Sequence, residues 1–246
     1  MDLYKIKRNS LEPIERESFK LEKDIQSVVE SNIEILFGIE FVKSEFSLGG
    51  FRLDSICFDN ETNSFVIIEY KKGSSYSVID QGYSYLSLML NNKSDFILEY
   101  NETKQKILKR DDVDWSQSRI IFISPSFSSY QKNSVNFKDV PFELWEIKRF
   151  SNNTIGLDQH LSTSEESIEK IDSNKNSVIR KVGKEVKKHV EETPLGSIDQ
   201  NLKDLYYELK EKIIDWDEVR FVPKRHYIGV WRNNKGKFYI GPQKKQ

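Results

Sequence analysis

The segment Ser64–Tyr70 (SFVIIEY) limits the fold of this chain more than any other feature of its sequence. Its β-branched and aromatic residues predict the clearest β-strand in the chain. Glu69 lies at the end of this strand, and Lys71 follows two positions later. Because side chains alternate along a strand, we expect Glu69 and Lys71 to point to the same face. A fold for this chain must therefore place a carboxylate and an ammonium group together at the end of an apolar strand.

Strand and helix signals alternate on both sides of this segment. The runs 39–46 and 51–58 are joined by Ser-Leu-Gly-Gly, which predicts a β-hairpin. This alternation predicts an α/β domain over residues 1–160. Its other predicted strands are 119–124, 142–149 and 154–157, and apolar residues spaced three and four apart predict helices at 15–36, 78–90, 95–109 and 128–136.

The rest of the chain divides into two parts. Residues 161–197 are rich in Ser, Thr, Glu, Lys and Asn and contain no aromatic residue, which predicts a charged linker with a helix at 178–190. Residues 198–246 begin with helical spacing and continue with short strand-like runs. We therefore expect a small α+β accessory domain at the C-terminus.

Composition excludes several classes of protein. The formal net charge is −1, from 38 Lys and Arg against 39 Asp and Glu, and argues against a surface that is basic throughout. No apolar run approaches the roughly 20 residues of a membrane-spanning helix, and the charged N-terminus lacks a secretory signal, so we expect a cytoplasmic protein without a membrane partner. The single Cys57 is predicted to be a core thiol, and the three histidines, His160, His189 and His226, lack the spacing of metal ligands.

A second carboxylate is expected beside Glu69. Asp54 and Glu69 lie at about equal distances in sequence from the turn at 59–63, so antiparallel pairing brings them together. Two carboxylates beside Lys71 repel each other unless a cation joins them, and Mg²⁺ needs only one or two carboxylates. Such a cation could activate water and offset charge on a phosphodiester, while Lys71 positions the water or helps to deprotonate it. On spacing alone, the alternative stays open that Asp54 and Glu69 are ordinary charged residues at strand ends.

Helical side chains add candidates to this site. At 100° per residue, Glu22 falls on the apolar stripe of the first predicted helix, whereas Glu30 and Glu34 lie nearer its wet face. A carboxylate in a buried apolar stripe needs an explanation, and one explanation is that Glu22 reaches the charged residues at the strand ends. Gln81 and Tyr85 are four residues apart on the next helix and could face the same site, although a core role for Tyr85 stays open.

These residues resemble the PD-(D/E)XK nuclease superfamily. The arrangement Asp-x14-Glu-x-Lys is formed by Asp54, Glu69 and Lys71, and Leu53 stands where the name-giving proline would be. The segments LEKDIQSVVESN, GGFRLDSICFD, FVIIEYKK and VIDQGYSYL resemble, more narrowly, a branch that includes mismatch-specific and branched-DNA endonucleases of archaeal type. The resemblance covers about residues 15–125. It implies a restriction-endonuclease-like α/β core, with a mixed sheet of four or five strands flanked by helices.

The resemblance also implies roles for the candidate residues. Asp54 and Glu69, with Glu22, would bind Mg²⁺ or Mn²⁺, and Lys71 would assist the attacking water. Glu22 and Gln81 would support the centre.

The C-terminal region resembles a small domain of unknown function that accompanies such nucleases, and the resemblance implies that this domain would be incomplete here. Residues 199–246 hold 11 Lys or Arg against 7 Asp or Glu, and aromatic residues are interleaved with the basic ones after residue 219. This pattern fits either a nucleic-acid-binding face or the small core of the domain. The candidate nucleic-acid contacts are Arg52, Lys72, Tyr85, Lys224, Arg225 and Arg232.

Taken together, the residues and the resemblance predict a Mg²⁺-dependent nuclease acting on nucleic acid, with DNA the favoured substrate. Two alternatives stay open: a protein that keeps the fold and binds nucleic acid or regulates without cutting, and an interaction module. Cutting two strands often needs two sites, so a homodimer is also considered.

Overall fold

The computed structural model describes residues 1–73, 77–168, 177–196, 198–216, 219–232 and 235–241. Within these ranges no helix is both long enough and apolar enough to cross a membrane. The strands are β1 Leu3–Lys7, β2 Ser10–Ile14, β3 Arg16–Glu17, β4 Glu40–Leu48, β5 Phe51–Asp59, β6 Ser64–Tyr70, β7 Arg119–Ser124, β8 Phe142–Phe150, β9 Ile155–His160, β10 Val219–Pro223, β11 Ile228–Arg232 and β12 Lys235–Ile240. The helices are α1 Glu22–Glu30, α2 Ile33–Phe37, α3 Val78–Asn91, α4 Lys93–Lys104, α5 Ser129–Ser134, α6 Ser177–Glu185, α7 Glu192–Leu195 and α8 Gln200–Ile214.

A mixed seven-stranded sheet forms the centre of the described structure. Its strands follow the order β4-β5-β6-β7-β8-β9, and β3 pairs with the end of β8. The pairs β6–β7 and β7–β8 are parallel, whereas β4–β5, β5–β6 and β8–β9 are antiparallel. The predicted α/β class is therefore confirmed, with a larger sheet than the four or five strands that the resemblance implied.

Helices cover both faces of this sheet. On one face, α3, α4 and α6 bury residues such as Phe65, Ile67 and Val182 in one apolar cluster. On the other face, α1 and α2 pack over a second cluster that includes Val66 and Ile68. All seven residues of β6 are buried, because alternate side chains enter opposite clusters.

Glycines shape two elements beside the candidate site. Gly49 and Gly50 have φ values of +58° and +81°, and they form the turn of the predicted β4–β5 hairpin. Gly82 of α3 lies against Phe142, where an added Cβ atom would come within 2.5 Å of the ring. The missing side chain thus lets α3, which carries Gln81, approach the sheet closely.

The N-terminal prediction was wrong in its boundaries. Instead of one helix over 15–36, α1 begins at Glu22 and α2 follows after Asn32, whose φ and ψ of −134° and 16° are not helical. Residues 3–14 form a β-hairpin that the sequence pattern did not indicate. The predicted helix at 95–109 also ends early, because Gln105 takes a left-handed conformation with φ +52°.

The C-terminal residues form a three-stranded antiparallel sheet, β10-β11-β12, covered by α8. Leu195, Tyr206 and Ile228 make its small apolar cluster. Hydrogen bonds connect it to the central part of the chain: the Tyr227 hydroxyl donates to Glu61 Oε1 at 3.1 Å, and the Arg220 guanidinium donates to Gln159 Oε1 at 3.3 Å. The C-terminal sheet thus lies beside the start of β6.

Candidate active site

Strand pairing brings Asp54 and Glu69 together. β5 and β6 pair with Ser55 opposite Ile68, so continuing the register by one residue puts Asp54 opposite Glu69. The Tyr70 backbone N–H donates to Asp54 Oδ2 at 3.0 Å. The predicted pairing through the turn at 59–63 is therefore confirmed, and both carboxylates lie where β6 ends.

Glu69 is the centre of a short hydrogen-bond network. Its Oε1 atom accepts from Lys71 Nζ at 2.8 Å and from Gln81 Nε2 at 2.8 Å. The Gln81 amide also donates to the Tyr85 hydroxyl at 2.9 Å. The structure thus unites the predicted strand residues with the predicted helix residues, which lie four apart on one face of α3.

The second oxygen of Glu69 differs from the first. Glu69 is only 4% exposed, and its Oε2 atom has no hydrogen-bond partner among the described residues. Burial, and then the nearby charge of Asp54, raises the pKa of Glu69 to about 7. Burial likewise raises the pKa of Asp54, although the Tyr70 hydrogen bond and Lys71 oppose this change. The site therefore holds two carboxylates whose ionisation is disfavoured in the absence of a further positive charge.

Lys71 carries a stable positive charge in this site. Burial lowers its pKa, but the charges of Glu69 and Asp54 outweigh burial and hold the pKa above its ordinary value. The Lys71 backbone N–H donates to the Ile123 carbonyl of β7 at 2.8 Å, so the ends of two parallel strands fix its position. Its ammonium group can therefore orient an anion or a water.

The position of Glu22 corrects the sequence prediction. Glu22 is exposed rather than buried in the apolar stripe, because α1 begins at this residue and its stripe begins at Ile25. Its Oε2 atom accepts from the Lys72 backbone N–H at 2.9 Å. Its charge nevertheless raises the pKa of Asp54, so Glu22 stands at the edge of the site.

Sequence reasoning missed a group of side chains that hold β5 in place. Gln26 is 5% exposed, and its amide donates to the Asp54 carbonyl at 3.2 Å and to Glu30 Oε1 at 2.8 Å. Ser55 Oγ donates to the same Glu30 atom at 2.6 Å and lies 3.1 Å from the Tyr70 hydroxyl. Gln26 shares the buried face of α1 with Ile25 and Val29. A polar residue on that apolar face was the feature of the sequence that could have revealed its role.

The other predicted nucleic-acid contacts take different positions. Tyr85 is 8% exposed and its hydroxyl donates to the Arg52 carbonyl at 3.5 Å, so it is part of the core and also contacts residues beside Asp54. Arg52 is exposed, with an ion pair to Glu45 at 3.7 Å. The Lys72 side chain is exposed and donates to the Lys20 carbonyl.

The C-terminal candidates are not brought to this site. Lys224 is only 8% exposed, and its Nζ atom lies 5.5 Å from the centre of the Trp231 ring. It lies near Asp59, which is at the opposite end of β5 from Asp54. The prediction that Lys224 belongs to an open basic face is therefore wrong. Arg225 is exposed and pairs with Asp114 at 3.4 Å, and Arg232 is exposed on β11.

The donor set fits a hard divalent cation. In the described part of the chain, no three His, Cys, Asp or Glu side chains come together as a metal site. A cation would therefore rest on the carboxylates of Asp54 and Glu69, and Mg²⁺ commonly uses one or two carboxylates and keeps its remaining waters. The unpartnered Glu69 Oε2 is the atom that such a cation would satisfy.

Comparisons with known proteins give both structural and sequence matches. No family model matches the chain. A repair endonuclease from Pyrococcus abyssi aligns with a TM-score of 0.29 and 13% identity over 55% of this chain and 60% of its own. An EndoMS–dsDNA2 complex aligns with a TM-score of 0.30 and 14% identity over 59% of this chain and 64% of its own. The chain thus spans less than two thirds of the length of these structures.

The sequence match is closer. An uncharacterized protein of Haemophilus influenzae is 43% identical over 230 residues, which cover 93% of this chain and 76% of that protein. This chain belongs to the same family as that Haemophilus influenzae protein.

Proposed function

We propose that this chain is a metal-dependent, endonuclease-like hydrolase that cleaves phosphodiester bonds in DNA. One observation carries the proposal: Glu69 Oε2 is buried without a hydrogen-bond partner among the described residues, beside Asp54, and the pKa of Glu69 is raised to about 7. Two carboxylates that share one ammonium group, with Glu69 buried and Asp54 half-buried, are costly in a purely structural role. A divalent cation between them would balance their charge.

Asp54 and Glu69 would hold Mg²⁺ or Mn²⁺ at the end of β6. When bound there, the cation would lower the pKa of a water and offset negative charge on the phosphodiester. Gln81 fixes the Glu69 carboxylate through Oε1, which leaves Oε2 for the cation. The Tyr70 N–H fixes Asp54 in the same way through Oδ2.

Lys71 would position the reacting groups. Because the pKa of Lys71 is raised, its ammonium group keeps its proton and suits contact with a phosphate oxygen or the attacking water. This favours positioning and charge stabilisation over the alternative that Lys71 deprotonates the water.

Exposed basic residues around the site support an anionic polymer as substrate. Arg52 lies two residues before Asp54 on β5, and Lys72 follows Lys71; both are exposed. Lys23 of α1 is also exposed and, like Arg52, pairs with Glu45. Phosphate backbones bind such residues mainly through charge. The choice of DNA rests on the motif resemblance described above.

Cleavage of supercoiled plasmid DNA in Mg²⁺ or Mn²⁺ tests the proposal. We expect metal-dependent nicking that falls by about a thousandfold in Asp54→Asn, Glu69→Gln and Lys71→Met, since each removes a charge from the reacting centre. Glu34→Gln, which changes an exposed carboxylate of α2, is the matched control and should keep full activity.

Two results would count against cleavage. One is intact DNA over a panel of plasmid, single-stranded and branched substrates with either metal; the other is undiminished nicking by Glu69→Gln. Binding of DNA without cleavage in the same preparation would favour the alternative of a nucleic-acid-binding or regulatory protein. A homodimer, suited to cutting two strands, stays a prediction that light scattering can check.

A further inference from the structure

A cavity of about 290 Å³ lies between the central sheet and the C-terminal sheet. Its lining includes Arg119 at the start of β7, Trp145 of β8 and Arg220 of β10. We call it the interdomain pocket. Arg119 precedes Ile121 and Ile123, which belong to the cluster under α1 and α2, whereas Glu69 contacts α3 on the opposite face. The interdomain pocket is therefore separate from the site of Asp54 and Glu69.

Basic residues outnumber acidic ones in the lining of the interdomain pocket. Five Lys or Arg residues line it, and Glu143 is the one carboxylate among the lining residues that the structure describes. Glu143 already forms an ion pair with Arg119 at 2.8 Å, and Asp59 pairs with the same guanidinium at 2.9 Å. The five basic residues are Arg119, Lys187, Lys188, Arg220 and Lys224.

Lys224 is a buried cation of this pocket. It is 8% exposed, and its Nζ atom lies 5.5 Å from the centre of the Trp231 ring. The nearby charges of Asp59, Glu61 and Glu143 favour its charged form but do not outweigh burial. Burial, and then the charge of Arg119, holds the pKa of Lys224 below its ordinary value. An anion in the pocket would relieve both effects, because it would pair with this ammonium group away from water.

Three other polar atoms of the pocket lining also lack partners. Ser118 Oγ, His189 Nε2 and Trp231 Nε1 are buried and make no hydrogen bond within the described ranges. Ser118 is 1% exposed, so its hydroxyl pays the full cost of losing water. Buried polar atoms of native proteins are nearly always paired, so several unpaired ones among the residues that line one cavity favour a polar ligand there.

Aromatic rings form the walls of the interdomain pocket. The Arg220 guanidinium lies 6.0 Å from the centre of the Trp145 ring and 5.5 Å from that of Trp231. Phe221 also lines the cavity. Flat aromatic and guanidinium surfaces are those on which nucleic-acid bases stack. The ligand should therefore combine a negative charge with a planar ring.

We propose that the interdomain pocket binds a nucleoside monophosphate, either free or as the phosphorylated end of a strand. Lys224 and Ser118 would contact the phosphate, and the base would stack on the aromatic and guanidinium surface that Arg220 forms with the two tryptophans. The cavity volume of about 290 Å³ fits a small ligand, because it is near the lower limit of roughly 300–1,000 Å³ for small-molecule sites. This proposal does not depend on cleavage at Glu69.

Calorimetric titration of the full chain with adenosine 5′-monophosphate in EDTA tests the proposal. We expect binding that weakens about tenfold or more when adenosine or inorganic phosphate replaces the nucleotide, since each lacks one half of the recognised groups. Lys224→Met should weaken nucleotide binding about tenfold or more, the effect of one charge-assisted hydrogen bond. Lys237→Met, at an exposed position on β12, is the matched control and should bind normally.

Two further measurements distinguish a free nucleotide from a strand end, and the interdomain pocket from the site at Glu69. Tighter binding of a 5′-phosphorylated oligonucleotide than of the mononucleotide would support a strand end as the ligand, and equal binding would support the free nucleotide. Glu69→Gln should bind the nucleotide normally even if it abolishes cleavage, so the two proposals can fail separately.

Ser118→Ala provides a second variant if Lys224→Met does not fold, and it should also weaken binding. The proposal is overturned if the nucleotide does not bind, if adenosine or phosphate alone binds as tightly, or if Lys224→Met and Ser118→Ala both bind normally.

Discussion

Asp54 and Asp59 lie five residues apart on the same strand, yet their surroundings have opposite effects. Asp59 is 1% exposed, and burial raises its pKa, but Arg119 and Lys224 outweigh burial and lower it. Asp54 is less buried, and still burial outweighs the Tyr70 hydrogen bond and Lys71, so its pKa is raised. A buried carboxylate with enough positive charge is structural, whereas one that lacks it is suited to bind a cation.

The two ends of the central strands differ in the same way. Where β6 ends, Asp54 and Glu69 share the single ammonium group of Lys71. Where β7 begins, several basic side chains line a pocket with one carboxylate among its described lining residues. The first end thus suits a cation, because its two carboxylates outnumber the ammonium group between them. The pocket at the other end suits a phosphate, because its lining holds more basic side chains than carboxylates.

Of the substitutions considered, Asp59→Asn should have the largest effect on stability. This change removes one of the two carboxylates that pair with the half-buried Arg119 guanidinium, and it should lower the free energy of unfolding by about 3 kcal/mol. Asp54→Asn, measured in EDTA at pH 8, should leave stability unchanged or raise it, because it removes one of two repelling carboxylates. Urea unfolding of both variants checks the difference, and equal losses in the two would remove the distinction between these carboxylates.

The pH dependence of stability should reveal the cost of ionising Glu69. The pKa of Glu69 rises from 4.5 to about 7 on folding, so the unfolded chain releases this proton first as the pH increases. In metal-free buffer, wild-type stability should therefore fall between these pH values, by about 2–3 kcal/mol relative to Glu69→Gln. Unfolding curves from pH 4.5 to pH 8 measure this difference, and parallel pH profiles of the two proteins would contradict it.

Gln81→Met should produce the smallest of these effects. The Gln81 amide donates to Glu69 Oε1 and stabilises the ionised form, so its loss should move the midpoint of the Glu69 transition to higher pH. The associated loss of stability at pH 8 should be about 1 kcal/mol. Ser84→Ala, at an exposed position on α3, is the control. A midpoint that moves to lower pH in Gln81→Met would contradict the assigned hydrogen bond.

Local rules were sufficient to predict the middle of the site. Alternation along β6 places Glu69 and Lys71 on one face, and the turn at 59–63 fixes the register that brings Asp54 beside them. Helical spacing then predicts that Gln81 and Tyr85 share a face. These inferences use only neighbours in sequence or across a single turn.

The parts that could not be predicted depend on tertiary packing. The burial of Lys224 follows from the docking of β11 beside the turn that carries Glu61, which no local pattern encodes. The role of Gln26 likewise depends on how α1 packs against β5, because this packing brings its amide to the Asp54 carbonyl. Long-range contacts of this kind determine which polar residues become buried.

Calorimetric titration with Mg²⁺ and Mn²⁺ at pH 8 tests most directly whether Asp54 and Glu69 form a cation site. We expect saturable binding to the wild-type chain that is lost in the double variant Asp54→Asn, Glu69→Gln and retained in Glu34→Gln. At pH 6, below the pKa of about 7 for Glu69, binding should also release protons. Absence of binding to the wild-type chain, or equal binding to the double variant, would contradict the account.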